Sequence, residues 1–87
     1  MKFIKSHKRK YYETWHYIDK ENDCIVHIHH IQKAKNYENG VYHFTVVGND
    51  FKFSSIKNDM IFIDFNECVA AIEKLRMIGL TDSQKEK

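Results

Sequence analysis

Apolar residues recur along this chain in short runs that polar, turn-forming residues separate. Runs that are rich in aromatic and β-branched residues and bounded by Asn, Asp and Gly are typical of β-strands. On this pattern we predict five strands, over residues 11–19, 24–31, 41–47, 51–56 and 60–63. Because short turns connect them, we expect the strands to form an antiparallel meander.

The last apolar stretch has the period of a helix rather than a strand. Its apolar residues recur at i, i+1, i+4 and i+7, and they are Cys68, Val69, Ile72 and Leu75. Asp64 and Glu67 fit an N-terminal capping box. Gly79 stands where a left-handed residue often ends a helix. We therefore predict a C-terminal helix over about residues 64–78, with its apolar stripe packed on the sheet.

These elements predict an α+β fold, in which an antiparallel four- to five-stranded β-meander is followed by one C-terminal helix packed on one sheet face. The chain of 87 residues should form a single domain, since a chain of this size can bury one modest core. Residues 1–10 contain lysine and arginine but no acidic residue, and we expect a flexible basic arm there. Residues 81–87 should form a flexible polar tail.

Residue parity assigns the predicted strands to two faces. A two-residue turn pairs residues of opposite parity, and we expect one within residues 21–23. Asn39 and Gly40 are a strong type I′ hairpin signal that carries the pairing into the third strand. A three-residue turn at residues 48–50 would carry it into the fourth. The expected core face is Trp15, Tyr17, Cys24, Val26, Ile28, Val41, Thr45, Val47, Phe51, Phe53, Met60 and Phe62.

The opposite face would carry a mixture of aromatic, basic and histidine side chains that no second helix covers. A contiguous exposed surface of this kind often marks an interaction site. The candidate partner-binding residues are Tyr12, His16, His27, His29, Lys33, Lys35, Tyr37, Tyr42 and Phe44.

Catalytic and metal-binding motifs are not evident in the sequence. His16, His27 and His29 could approach one another, but no carboxylate or thiolate is clearly placed beside them to complete a zinc site. Cys24 and Cys68 are far apart in sequence and are predicted to be small buried thiols. No nucleophile has a recognisable activating base. We therefore expect no enzymatic activity, no cofactor and no bound metal.

Localisation and origin follow from composition. No apolar stretch approaches the roughly 18 residues of a membrane span, and no signal-peptide pattern follows Met1. We expect a protein of the bacterial cytoplasm without membrane partners. Lysine outnumbers arginine 12 to 2 and proline is absent, so residues with AT-rich codons predominate. This composition suits an AT-rich bacterium or its phage.

A non-enzymatic, protein-directed function is the primary hypothesis. The net charge of +2 is weak for steering a polyanion. We expect a small phage- or mobile-element-type accessory protein that binds and inhibits a host protein, such as a defence-system or toxin component. A homodimer formed through the same face is compatible with this hypothesis.

Binding of RNA or single-stranded DNA is the alternative. Bases stack on exposed aromatic side chains while Lys and Arg follow the phosphates. The candidate residues for the backbone are Lys8, Arg9, Lys10, Lys33 and Lys35. The order of elements over residues 11–78 resembles that of the single-stranded-DNA-binding transcriptional coactivators and their plant relatives. This resemblance is in element order alone, and it implies a sheet that binds single strands.

Overall fold

The computed structural model describes residues 1–77 and contains one antiparallel sheet followed by a helix. The strands lie in sequence order across the sheet, and they are β1 (Ile4–Arg9), β2 (Tyr12–Asp19), β3 (Cys24–Ile31), β4 (Val41–Gly48) and β5 (Lys52–Ser54). A 3₁₀ turn, Ile56–Asn58, precedes helix α1 (Phe65–Met77). The predicted α+β fold is confirmed. The predicted helix end at Gly79 and the polar tail lie outside the described residues.

Strand β1 occupies the segment that the sequence suggested was a basic arm. It pairs with β2 and has a bulge between Lys5 and His7. All six of its residues are exposed, so alternation of apolar and polar residues could not reveal it. Charged residues and a bulge on an edge strand hinder pairing with another sheet. Residues 4–9 are therefore a protected edge of the sheet and not an arm.

Helix α1 packs on one face of the sheet and encloses the core. The buried core residues are Cys24, Val26, Ile28, Phe44, Val46, Cys68 and Ile72. Val69 and Leu75 pack against this core while remaining partly exposed, so the predicted helical stripe is confirmed. Both cysteines are free and buried, as predicted. Within residues 1–77, no helix has the length and hydrophobicity needed to cross a bilayer.

Both ends of α1 are held by polar contacts. At its start the Glu67 backbone N–H donates to Asp64 Oδ2 at 3.2 Å, which confirms Asp64 as the N-cap. Near its end Arg76 Nε lies 3.0 Å from Oδ2 of the buried Asp19. Burial opposes ionisation of Asp19, but hydrogen bonds from Asn22 and the Arg76 charge outweigh it and lower the pKa of the carboxyl group. Arg76 thus ties α1 to the β2–β3 turn.

Strand β4 presents the opposite face from the one predicted. Val46 pairs with Val26, and Phe44 pairs with Ile28, so both β4 residues lie on the helix side and are fully buried. Thr45, expected in the core, pairs with His27 on the other side. The cause is the connection between β3 and β4, which spans residues 32–40. An odd number of linking residues pairs residues of equal parity, which exchanges the two faces.

The Asn39–Gly40 pair does not form the expected hairpin turn. A type I′ turn needs positive φ at both central residues. Gly40 has φ of 81°, but Asn39 is not among the residues with positive φ. A Cβ atom on Gly40 would also overlap the backbone oxygen of Ile31. Gly40 therefore allows the long loop to close tightly against the end of β3.

The turn between β4 and β5 also differs from the prediction. Gly48 N–H donates to the Phe51 carbonyl at 2.9 Å, which leaves Asn49 and Asp50 as a two-residue turn instead of the expected three-residue turn. Because the faces of β4 are also exchanged, the two errors cancel, and Phe51 packs against the core as expected. The same holds for Phe53.

The last predicted strand, over residues 60–63, is reduced to a single bridge. Phe62 and Tyr42 exchange backbone hydrogen bonds of 2.7 and 2.8 Å. Met60 and Phe62 nevertheless pack against the core, as the parity argument predicted.

Candidate functional site

The sheet face turned away from α1 is the candidate site, and we call it the open face. Its central residues follow from the strand register, and they are Tyr12, Thr14, His16, Ile18, Ile25, His27, His29, Ile31, Val41, His43, Thr45 and Val47. Within residues 1–77, α1 is the only α-helix, and it lies on the other face.

Four imidazoles from three adjacent strands form a histidine cluster on this face, and they are His16, His27, His29 and His43. His16 pairs with His27 across β2 and β3, and their ring centroids are 6.5 Å apart. His29 pairs with His43 across β3 and β4, with the rings stacked at 4.7 Å. The centroids of His27 and His29 are 6.1 Å apart, so the cluster is continuous across the sheet.

His29 is the most constrained member of the cluster. Its Nδ1 atom lies 2.6 Å from the Tyr12 hydroxyl, and its Nε2 atom lies 3.1 Å from the Thr45 hydroxyl. Burial, followed by the nearby His43 and His27, lowers the pKa of His29 to about 4. His29 is therefore neutral at pH 7, with both ring nitrogens in hydrogen bonds.

Other members of the cluster also favour the neutral form. Burial and, to a smaller extent, the charge of His16 lower the pKa of His27. Burial alone lowers the pKa of His43. Like charges at these separations would repel one another in a partly buried setting. The centre of the open face is thus polar and able to form hydrogen bonds near pH 7, without being strongly cationic.

An aliphatic row lies beside the cluster at the end of the sheet near the β2–β3 turn. Ile25 pairs with Ile18 on one side and with Val47 on the other. These side chains are 40%, 58% and 40% exposed, respectively. Single exposed aliphatic residues are common on protein surfaces, but three adjacent ones on an uncovered sheet face form a patch.

Carboxylates are absent from the open face within residues 1–77. The only acidic residues of the five strands are Glu13 and Asp19, and both lie on the helix side. Glu13 accepts a hydrogen bond of 2.6 Å from Lys5. This contact lowers the pKa of the carboxyl group, although burial acts in the opposite direction. Arg9 of β1 and Lys52 of β5 pair with open-face residues at opposite edges. The strands of the open face therefore carry cations at both edges and no acid, and the nearest carboxylates belong to loops at the two ends of the sheet. Asp23 lies beside the aliphatic row, and Glu38 lies in the loop that follows β3.

The structure brings together four of the predicted partner-binding residues, namely Tyr12, His16, His27 and His29. Tyr42 and Phe44 do not join them, because the exchange of β4 faces places both on the helix side. Phe44 is fully buried. The Tyr42 ring stacks on His30 with centroids 4.0 Å apart and meets Phe65 of α1 edge-on. Their assignment to the exposed face was wrong.

The remaining predicted partner-binding residues lie in the loop over residues 32–40. Lys33 places its Nζ atom 4.4 Å from the centroid of Tyr11. Lys35 and Tyr37 line a groove of about 340 Å³, together with Val41 and Ile61. This loop forms a rim at one end of the open face rather than a part of the sheet.

The basic residues proposed for nucleic acid are divided between the two sheet faces and the loops. Lys8 pairs with Glu13 on the helix side of the sheet, whereas Arg9 pairs with Tyr12 on the open face. Lys10 lies in the β1–β2 turn, with its Nζ atom 5.3 Å from the centroid of Tyr11. Lys33 approaches the same Tyr11 ring, so Lys10 and Lys33 lie close together, while Lys8 and Arg9 lie on opposite faces of the sheet.

Several open-face residues were missed from the sequence, namely Ile18, Ile25, His43, Thr45 and Val47. The two isoleucines were visible from the parity of β2 and β3, but they resembled isolated surface residues. The three β4 residues could be found only from the odd length of the loop that precedes them. Within residues 1–77, no group of three or more His, Cys, Asp or Glu side chains is arranged to hold a metal ion.

Comparison of the chain with protein-family models, curated proteins and solved structures found no match.

Proposed function

We propose that this is a non-enzymatic binding protein that docks on another protein through the open face. The observation that carries the proposal is the exposed aliphatic row beside the histidine cluster, on a sheet face that α1 does not cover. Burial lowers the pKa of three imidazoles of this cluster, His27, His29 and His43. Removing apolar surface from water contributes roughly 25 cal/mol per Å². The neutral imidazoles can exchange hydrogen bonds with a partner without the desolvation cost of a charged surface.

The dimensions of the sheet suggest how much of the surface takes part. Five strands about 4.8 Å apart, each up to about eight residues long, give a face of roughly 600 Å². A standard interface buries about 800 Å² on each partner. We therefore expect the loop rim to supply the remaining area, with Lys33, Lys35 and Tyr37 in a supporting role around the central sheet.

The form of activity that we propose is inhibition of a host protein by occlusion. The Thr45 and Tyr12 hydroxyls contact His29, but the pKa of about 4 of this imidazole makes it a weak base near pH 7. We therefore propose that binding itself produces the effect. The small size and the AT-rich composition support a phage- or mobile-element-type origin of such an inhibitor.

Binding of single-stranded nucleic acid is the competing proposal, and the absence of carboxylates from the described open face favours it. However, its stacking platform would require exposed aromatics on the sheet, and Tyr42 and Phe44 lie on the helix side, while the exposed rings of Tyr11 and Tyr37 lie outside the strands. Lys8 and Arg9 lie on opposite faces of the sheet and cannot follow one phosphate backbone together with the cations at Tyr11. The protein-docking proposal therefore has the stronger support.

A capture experiment with nuclease treatment separates the two proposals. Tagged protein is incubated with bacterial lysate, with and without nuclease, at two salt concentrations. A protein partner should remain bound after nuclease treatment and should depend weakly on salt, whereas nucleic-acid affinity falls steeply as salt rises. Loss of all binding after nuclease treatment would contradict protein docking.

Two matched variants localise the interface. Ile25→Glu introduces a charge into the aliphatic row, and Ala70→Glu introduces the same charge at an exposed position of α1. We expect Ile25→Glu to lose at least about tenfold in affinity, the scale of an unpaired charge in an interface, and Ala70→Glu to bind normally. Circular dichroism must show that both variants remain folded. Equal binding by the two variants would place the interface elsewhere.

A further inference from the structure

His16 and His27 present free ring nitrogens on the open face, whereas the Nδ1 atom of His43 is buried without a hydrogen-bond partner. Within the part of the chain that the structure describes, neither ring hydrogen-bonds to another side chain, whereas His29 uses both of its nitrogens. Their nitrogens are also not among the buried atoms that lack a partner, so they remain accessible to solvent. The two rings face each other across β2 and β3 with centroids 6.5 Å apart.

The surroundings of this pair suit an anionic group. The titratable and charged groups that share the open face with it, from each strand of the sheet, are His7, Arg9, Tyr12, His29, His43 and Lys52. None of these groups is a carboxylate. A second copy of the chain, docked face to face, would bring the same strands without a carboxylate against the pair. A carboxylate that binds the pair would therefore come from a different partner.

A carboxylate can bridge two imidazoles at this separation. It has two oxygens, and N–H···O⁻ hydrogen bonds are about 2.7–2.9 Å long. Each ring can therefore donate to a different oxygen of one carboxylate.

The aliphatic row specifies the second feature of the partner. Ile18 follows His16 by two residues in β2, and Ile25 precedes His27 by two residues in β3. Residues two apart on a strand project from the same face about 7 Å from each other. An extended partner segment has the same spacing. If an acidic and an aliphatic residue of the partner segment are two positions apart, the segment can place the carboxylate on the histidine pair and the aliphatic side chain on the row.

We propose that His16 and His27 form a recognition site for an Asp or Glu side chain of the partner. This acidic residue belongs to an extended segment and lies two positions from an aliphatic residue. This inference rests on the proposed docking of a protein on the open face. It adds proton uptake to that docking, because His27 favours the neutral form in the free protein and a bound carboxylate favours the protonated form. Affinity should therefore rise as the pH falls from 8 to 6.

Two blocked peptides test the site, acetyl-Thr-Glu-Thr-Leu-Thr-amide and its matched control acetyl-Thr-Gln-Thr-Leu-Thr-amide. Each is titrated into the full chain at pH 6 and pH 8, and NMR follows the backbone amides and histidine rings. We expect the Glu peptide to bind about fivefold more tightly than the Gln peptide at pH 6, the scale of a solvent-accessible ion pair. The difference should shrink at pH 8, and the shifts should centre on His16, His27 and Ile25.

Variants of the full chain separate recognition from general electrostatics. His27→Gln should abolish the preference for the Glu peptide and its pH dependence. Lys74→Gln, which removes a cation from an exposed position of α1, should retain both. Equal affinity for the two peptides at pH 6 would overturn the carboxylate site while leaving protein docking intact. Failure of both peptides to bind, or unchanged pH dependence in His27→Gln, would also overturn it.

A twelve-nucleotide oligo(dT) in the same titration tests the competing partner. If it shifts the His16 and His27 signals more strongly than the Glu peptide does, both the carboxylate site and the docking proposal fail in favour of nucleic acid.

Discussion

Ser55 shows how one hydroxyl group can maintain the edge of the sheet. It is fully buried, and its Oγ atom accepts the backbone N–H of Phe44 at 2.8 Å. Ser55→Ala would leave that buried N–H without a partner, which typically costs about 1–3 kcal/mol. We expect this loss in the free energy of unfolding, measured by urea denaturation. Ser54→Ala is the neighbouring control and should change stability by less than about 0.5 kcal/mol. Equal stability of the two variants would contradict the assigned role.

His29 should make stability depend on pH in a defined direction. Because its pKa is about 4 when folded and near 6.5 when free, the unfolded chain binds more protons between these values. Stability should therefore be fully present above about pH 6.5 and fall as the pH drops towards 4. The loss should be roughly 1–3 kcal/mol. Thermal or urea unfolding at a series of pH values measures it.

A comparison of variants assigns this dependence to His29. His29→Gln should reduce the fall in stability between pH 7 and pH 5, whereas His7→Gln, on the exposed strand β1, should retain it. His27 and His43, whose pKa values are also lowered, act in the same direction and are present in both variants, so part of the fall should remain in His29→Gln. Glu13 and Asp19 do not interfere in this range. Their lowered pKa values lie below the ordinary 4.5 and 3.8, so their contributions are lost only at lower pH. An unchanged slope in His29→Gln would contradict the assignment.

Helix α1 should be stabilised mainly by Ile72. Ile72 is fully buried, while Leu75 is only partly buried. Ile72→Ala should therefore cost about 2–5 kcal/mol, the usual range for a buried aliphatic truncation. Leu75→Ala should cost less, and Glu73→Ala, on the exposed side, should be near neutral. Urea denaturation of the three variants ranks them. A larger loss for Leu75 than for Ile72 would mean that the helix is rotated about its axis.

Elements that depend on local signals could be predicted from the sequence. The bounds of β2 and β3 follow from turn residues and alternation, and the start of α1 follows from the Asp64 cap. The faces of β4 could not be predicted in the same way. They depend on where the loop over residues 32–40 closes. That closure is set by the contact of Gly40 with Ile31, which lie at the two ends of the loop. Strand β1 lacks alternation because its pairing with β2 leaves both of its faces exposed.

Across the whole molecule, the two sheet faces differ in chemistry. The helix side contains the core and both strand carboxylates, each paired with a cation. The open face contains the histidine cluster, the aliphatic row and no acid. The net charge of +2 does not reveal this difference between the two faces, because the difference depends on the strand register. From β2 and β3 the sequence predicted the polar residues of the site, Tyr12, His16, His27 and His29, but not the two isoleucines. It missed the β4 half because one odd loop length exchanges that strand's faces.

Covalent footprinting of the histidines tests the central claim, that the open face docks on a partner protein. Diethyl pyrocarbonate modifies accessible imidazoles and lysines, and mass spectrometry locates the products. In the free protein, His16 and His27 should react. In the nuclease-treated complex with a captured partner, both should be protected, while Lys74 on α1 should react equally in the two states. Unchanged reactivity of His16 and His27, with protection on α1 instead, would contradict the account.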